Sequence, residues 1–289
     1  MTKPSWIITV LALIVTAVYL FIQAPQPLPA EEAASGKQIP IETVLTLVAA
    51  ENDTVRALWT REIVGAGKKV GLAFDEEWRD PDVEAGPLPA LFLREAATSL
   101  EKNPIRLSLF LGSDFPISAS NLFTGRQDDM FKIIKQTNQP QFFFAEDTHL
   151  YTAMFPDVAS VKPCVTCHNE HPDTPKADWV LGDIMGATTW SYPKASVTMD
   201  EFMEIITALR KSFQDAYEGY LEKVATFSKP PLVGDQWPRD GKYTLPSAEA
   251  FLREFTQRAS AHTVDLLLSP QKDKPKEAGI RGERQIASK

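Results

Sequence analysis

The sequence predicts an α+β fold, an antiparallel sheet flanked by helices. Three observations carry it. "IRLSLFL" places Ile105, Leu107, Leu109 and Leu111 at every second position, the period of a strand with one buried face. Phe202, Ile205, Ile206, Leu209, Phe213, Ala216, Tyr217, Tyr220 and Val224 form one stripe at helical spacing. The elements follow the order helix, strand, helix, strands, a reactive loop, strand and long helix, which suits a sheet packed by helices.

Each element has its own signals. From Ile41 to about Val64, the residues Val44, Leu47, Val48, Val55 and Leu58 mark a helix, which Gly65 and Gly67 are expected to stop. "GAGKK" lacks the spacing and the Ser or Thr of a phosphate loop. Pro89 suits the first turn of a helix whose apolar face is Leu91, Phe92, Ala96 and Leu100. "GRQDDMFKIIKQTNQ" reads as a short helix, and "PQFFFAED" and "HLYTAMFPDV" as strands. Ile184, Thr188 and Trp190 have strand period after the reactive loop. Thr198 and Glu201 form a capping box at the start of the long helix, which runs for roughly 27 residues, about 40 Å. Pro230 and Pro231 end it, a weaker helix runs from about Ser247 to Leu268, and a polar tail follows Pro270.

The composition bounds the class. The 289 residues are 44% hydrophobic and 24% charged, with a formal net charge of -8, a soluble balance that argues against binding to nucleic acid. The N-terminus departs from that balance. Trp6 to Ile22 is uncharged over 17 residues, at the short limit of a spanning helix, roughly 17 to 25. Trp6 and Tyr19 sit near its ends, as interfacial aromatics do. Lys3 in front and Glu31 and Glu32 behind orient the body outward. The expected arrangement is a signal anchor that holds the chain on the periplasmic face of the inner membrane. The alternative is a signal peptide cleaved near Ala30. The organisation that follows is an anchor over 1–24, a linker over 25–40 and a sheet domain with its leading helix over 41–197. The long helix covers 198–228, and a helical extension and tail cover 229–289.

Both cysteines of the chain, and two of its four histidines, lie in "PCVTCHNEHPDTP", Pro163 to Pro175. Cys164, Cys167 and His168 form a C-x-x-C-H run. Two thiols at that spacing can add to the two vinyl groups of one haem, and the next histidine then supplies an axial nitrogen to the iron. Such a haem cannot dissociate from an exported protein. Other chemistries use the same residues. A disulfide across so small a loop stabilises little. A thioredoxin-like pair prefers a helix start in a βαβ unit. A zinc site would need Cys164, Cys167, His168 and His171 together. Spacing and export favour one covalent haem c.

The chain resembles a family of single-haem c-type domains with a PAS-like fold, found as exported sensor modules of bacterial histidine kinases and nucleotide cyclases and as stand-alone haem proteins. The resemblance covers roughly Glu51 to Lys223. It rests on "PLPALFLREAA", on "CVTCHNEHPDTPKADWVLGDIMGA" and on the strand ending "TWSYP". It implies that Cys164 and Cys167 hold the haem, that His168 is the fifth ligand, and that Asp178 to Gly186 returns to the sheet beside it. Some members use a distal cysteine as sixth ligand, and this chain has no third cysteine. The candidates for that position are Met154, His149, His171 and Met185, beside an open sixth site. His262 lies outside the resembling stretch. Arg79, Arg94, Arg106 and Lys176 are candidates for haem propionates, and Trp179 and Trp190 for core aromatics near the macrocycle.

Two functions fit. One is a membrane-tethered electron-transfer cytochrome, whose acidic charge would steer a basic redox partner. The other is a haem-based gas or redox sensor that passes a ligand or oxidation change through the long helix to a signalling partner. The roughly 60 residues after that helix are too few for a kinase or cyclase. No acid–base pair or nucleophile constellation marks an enzyme.

Overall fold

The computed structural model describes residue 10, residues 13–19 and residues 38–268, with side chains described as far as residue 260. The chain divides into two units, Met1–Gln38 and Ile39–Lys289. In the first, residue 10 and residues 13–19 are helical. Most of the transmembrane helix expected over Trp6 to Ile22 lies outside the described residues. Among the described residues no helix is long and apolar enough to cross a membrane, so that helix gains no support. The linker before residue 38 and the tail after Pro270 also lie outside them.

The second unit mixes helices with antiparallel sheet, and one four-stranded sheet organises it. Its strands are β1 (Ser108–Gly112), β2 (Gln141–Ala145), β3 (Leu150–Val158) and β4 (Ile184–Tyr192), in the spatial order β1-β4-β3-β2, every pair antiparallel. The helices are α1 (Ile41–Leu58), α2 (Pro89–Glu101), α3 (Gly125–Thr137), α4 (Lys162–Glu170), α5 (Met199–Val224) and α6 (Ala248–Leu268).

Alternation along the strands gives the sheet two cores. One face carries Leu109, Ala153, Trp190 and Tyr192 and packs with Val48, Val55 and Leu58 of α1, Phe92 and Ala96 of α2, Leu209, Phe213 and Tyr217 of α5, and Phe251 and Phe255 of α6. The other carries Met154 and Ala187, with Phe110 and Phe143 partly buried, and packs with Phe123 and with Met130, Phe131 and Ile134 of α3. Helices α5 and α6 thus share one core with the first helix. The aromatic stripe read in the sequence is that core's centre, where Phe251 stacks on Tyr217 at 4.1 Å and Phe92 stacks on Trp59 at 4.3 Å.

Three expectations are corrected. Gly65 and Gly67 do not stop the first helix. Gly65 keeps helical angles (φ -66°, ψ -44°), and the chain continues through a π-helical segment, Trp59–Gly65, into Ala66–Lys69. The turn comes at Gly71, whose φ of 99° is left-handed, a conformation that glycine adopts without steric cost. The capping box forms by half. Thr198 Oγ1 accepts from the Glu201 backbone N–H at 3.2 Å, but the Glu201 carboxylate accepts instead from Tyr192 Oη at 2.5 Å and Lys194 Nζ at 2.9 Å. A tertiary pairing has displaced the local one. The reactive segment, read as a loop, is the helix α4. Extended Val161 precedes it and Pro163 occupies its first turn, where a missing N–H removes no helical bond.

Glu51 of α1 is 1% exposed and is clamped by Arg210 of α5, whose Nε and Nη2 donate at 2.9 and 2.5 Å. A two-pronged pair of this kind fixes orientation as well as charge. Arg210→Met is expected to strand the carboxylate and lower unfolding stability by about 3 to 5 kcal/mol. The double change Glu51→Leu/Arg210→Met should recover most of that loss in urea unfolding.

Candidate haem-binding site

The site is built where β3 and β4 end. Their pairing runs from Tyr151 opposite Tyr192 to Asp157 opposite Gly186, then shifts so that Val158 faces Ile184. Met185 is the extra residue, and such a bulge bends the strand out of the ladder. A Cβ on Gly186 would lie 2.4 Å from the Gly112 carbonyl oxygen, so β1 and β4 approach this closely only with glycine there. Ser113 Oγ donates to the Met185 carbonyl at 2.6 Å and holds the bulge in place. Three residues separate Val158 from Lys162, so α4 starts directly off the bulged end.

Helix α4 packs through Cys164 and Val165 on a small buried cluster of Ala159, Trp179 and Met185. The returning chain is pinned to it by Asn169. The Asn169 side chain accepts from the Trp179 backbone N–H at 2.9 Å and donates to the Trp179 carbonyl at 3.0 Å. Lys176 lies 4.6 Å from the Trp179 ring and pairs with Asp178. Trp179 is therefore a packing residue of the motif, while Trp190 lies in the main core, fully buried.

Both cysteines are free thiols, one helical turn apart, Cys164 half-buried and Cys167 exposed. Partial desolvation against the helix's surroundings, with Glu76 nearby, pushes the thiol of the otherwise exposed Cys167 up, the opposite of what an attacking redox cysteine needs. A helix start is the setting of a thioredoxin-like pair, but the sheet beside it is antiparallel, with no βαβ unit among the described residues. His168 is half-buried, and burial pulls its imidazole below the usual histidine range, which favours the neutral, metal-binding form. Its Nδ1 is buried and has no hydrogen-bond partner. Two unpaired thiols and a neutral imidazole with an uncommitted ring nitrogen are the donor set that a covalently attached haem uses, so these residues fit the group.

The remaining candidates scatter. Met154 is fully buried and faces α3, on the other side of the sheet from α1. His149 is an exposed residue of the β2–β3 hairpin with φ 55°, at the far end of β3, about 30 Å along the strand from α4 at ~3.3 Å per residue. That distance puts it out of reach of iron held by His168. His171 has both ring nitrogens engaged. Nδ1 accepts from the Asp173 backbone N–H at 3.0 Å, so Nε2 carries the proton and donates to Glu76 at 2.9 Å. It ties α4 to the loop after α1 and offers no lone pair to a metal. Among the described residues no group of three or more His, Cys, Asp or Glu converges as a metal cage, which disfavours the four-ligand zinc arrangement. Met185 alone of the four lies under the motif.

Sequence reasoning missed the charges that frame the site. Arg56 of α1 donates to both carboxylate oxygens of Asp157, each at 2.8 Å. Asp157 acts electrostatically on His168, and Arg56 feels Cys164. No motif announces a pair 101 residues apart; only the sheet brings them together. Of the expected propionate partners, Arg79 pairs with Glu95, Arg94 reaches Asn121 at 3.4 Å, and Arg106 is exposed.

Asn169→Ala is expected to remove both clasping bonds, leave the Trp179 backbone groups unmatched and cost about 1 to 3 kcal/mol. Hydrogen exchange at the Trp179 amide should accelerate well before the sheet amides do.

No curated protein and no solved structure matches the chain. The model of the Tll0287-like family matches residues 41–193, which takes in α1, the whole sheet and α4. Residues that belong together in the fold, from the first helix to the end of β4, are those the family model covers, and the chain belongs to the Tll0287-like family of haem c-binding domains.

Proposed function

We propose that the protein carries one haem c bound covalently through Cys164 and Cys167, with His168 as an axial ligand of the iron, and that it works as an electron carrier. The observation that carries this reading is the geometry of α4, which presents both thiols and the neutral imidazole from one short helix. The haem would supply a one-electron couple at iron. The chain's own residues do the rest. The sulfurs of Cys164 and Cys167 would tether the group as thioethers, Met185 and Trp179 fill the space beneath the helix, and the Asn169 clasp and the His171–Glu76 bond hold the helix to its surroundings.

Two features support electron transfer over sensing. Helix α5, the element expected to relay a signal, buries its whole apolar stripe in the core. The chain after it turns back, and α6 packs into that core with α1. A helix held along its whole length is a poor lever. The net charge of -8 suits steering toward a basic redox partner. The sheet and its flanking helices are in keeping with a PAS-like domain. The uncharged run from Trp6 to Ile22 supports an outward-facing, membrane-tethered placement.

The test is spectroscopic. Protein made with a cytochrome c maturation system should give a pyridine haemochrome of covalent c type, at one haem per chain. Cys164→Ala with Cys167→Ala should abolish the covalent link. The reduced protein should be low-spin, should ignore CO and should pass electrons to an artificial acceptor. Matured protein that contains zinc and no haem would refute the haem assignment. A five-coordinate ferrous haem that binds CO and fails to pass electrons would refute the carrier assignment.

A further inference from the structure

We infer that the aromatic face of β2 and β3, with Phe142 and Phe155 as the contact rings, is the platform on which the haem macrocycle lies. This rests on the covalent haem reading above.

Strand parity assembles the face. Tyr151, Ala153, Phe155 and Asp157 alternate onto one side of β3, and Phe142 and Phe144 of β2 stand opposite Ala153 and Tyr151 on the same side. This is the side that α1 and α2 cover over β4 and β1. Over β2 it stays open, with Phe142 38% and Phe144 37% exposed. The rings are organised. Phe142 meets Phe155 edge-on at 5.8 Å, and Phe144 meets Tyr151 at 4.9 Å. Phe142 and Phe144 are exposed, and Tyr151 and Phe155 stand half-buried between them and the main core, so the outer part of the sheet presents an aromatic surface, and exposed apolar area bordered by polar groups marks a ligand or interaction site.

The position of the face commits it to the haem. Asp157, whose charge acts on His168, stands on this side, one same-face step from Phe155, about 7 Å. Arg56, clamped to Asp157, borders the face from α1 and lies within electrostatic reach of Cys164. Antiparallel register puts Phe142, and not Phe144, at the α4 end of β2. A planar group tethered to α4 therefore meets Phe155 and Phe142 first. The opposite side of the sheet is closed, because Met154, Phe123, Met130, Phe131 and Ile134 already fill it against α3. A haem edge against phenylalanine rings is also shielded from water, one of the levers by which a protein sets haem potential.

Ring-labelled phenylalanine NMR of the matured protein tests this, with signals assigned by Phe142→Leu and Phe155→Leu. Covalent haem is first confirmed by mass. On oxidation to the paramagnetic ferric state, the Phe142 and Phe155 ring signals should shift and broaden, while those of Phe123 and Phe131 stay where they are. Phe155→Ala should keep the covalent haem but lower the midpoint potential, as water reaches the iron's surroundings and favours the ferric charge. Oxidation shifts at Phe123 and Phe131, or at neither pair, would overturn the platform while leaving the haem assignment intact. Matured protein with no attached haem would overturn both.

Discussion

The pairing of β3 with β4 is the constraint from which the site follows. It is the longest ladder in the sheet, and both strands lie inside it, each with a neighbour on either side. Such strands cannot slip by one residue without turning Ala153 and Trp190 out of one core and Met154 out of the other. The ladder ends in a bulge at Met185, and the chain leaves it straight into α4. The cysteines and His168 are therefore placed by the end of the two interior strands.

Around this end the charges are arranged as pairs. Arg56 with Asp157 joins the first helix to the sheet, and His171 with Glu76 joins the end of α4 to the segment that follows the first helix. Neither pair is deeply buried, and each contributes modestly to stability on its own. Their effect is positional. Arg56 holds both oxygens of Asp157, so the carboxylate whose charge acts on His168 is already matched. The motif sits beside a neutralised pair, in surroundings that burial keeps drier than the open surface.

Much of the fold was legible in the sequence because it depends on local periodicity. The stripe from Phe202 to Val224 appeared as one helix, and the two runs around "FFFAED" and "HLYTAMF" appeared as strands, which the structure pairs as β2 and β3. The readings that missed share a cause. Gly65 looked like a stop because glycine often is one, yet the packing of Trp59 and Ile63 carries the helix through it. Glu201 looked like a cap because of its spacing from Thr198, yet Tyr192 and Lys194 compete for its carboxylate. "KPCVTCHNE" looked like a loop because prolines surround it, yet one of them starts the helix. In each case a tertiary contact, or the position of a residue within an element, outweighed an average tendency.

The amino-acid sequence by itself determined the chemistry that travels with spacing. Two thiols and an imidazole within five residues can bind one haem wherever the chain puts them, because their separation is set by a single helical turn. Only the tertiary structure decided the surroundings. It put His149 at the far end of β3, engaged both ring nitrogens of His171, set Met154 behind the sheet, and brought Arg56 to Asp157 across 101 residues. It also left Phe142 and Phe144 exposed at the edge of the sheet. The reason is physical: donor spacing is a property of neighbouring residues, whereas burial, charge pairing and open faces arise from segments far apart in the chain.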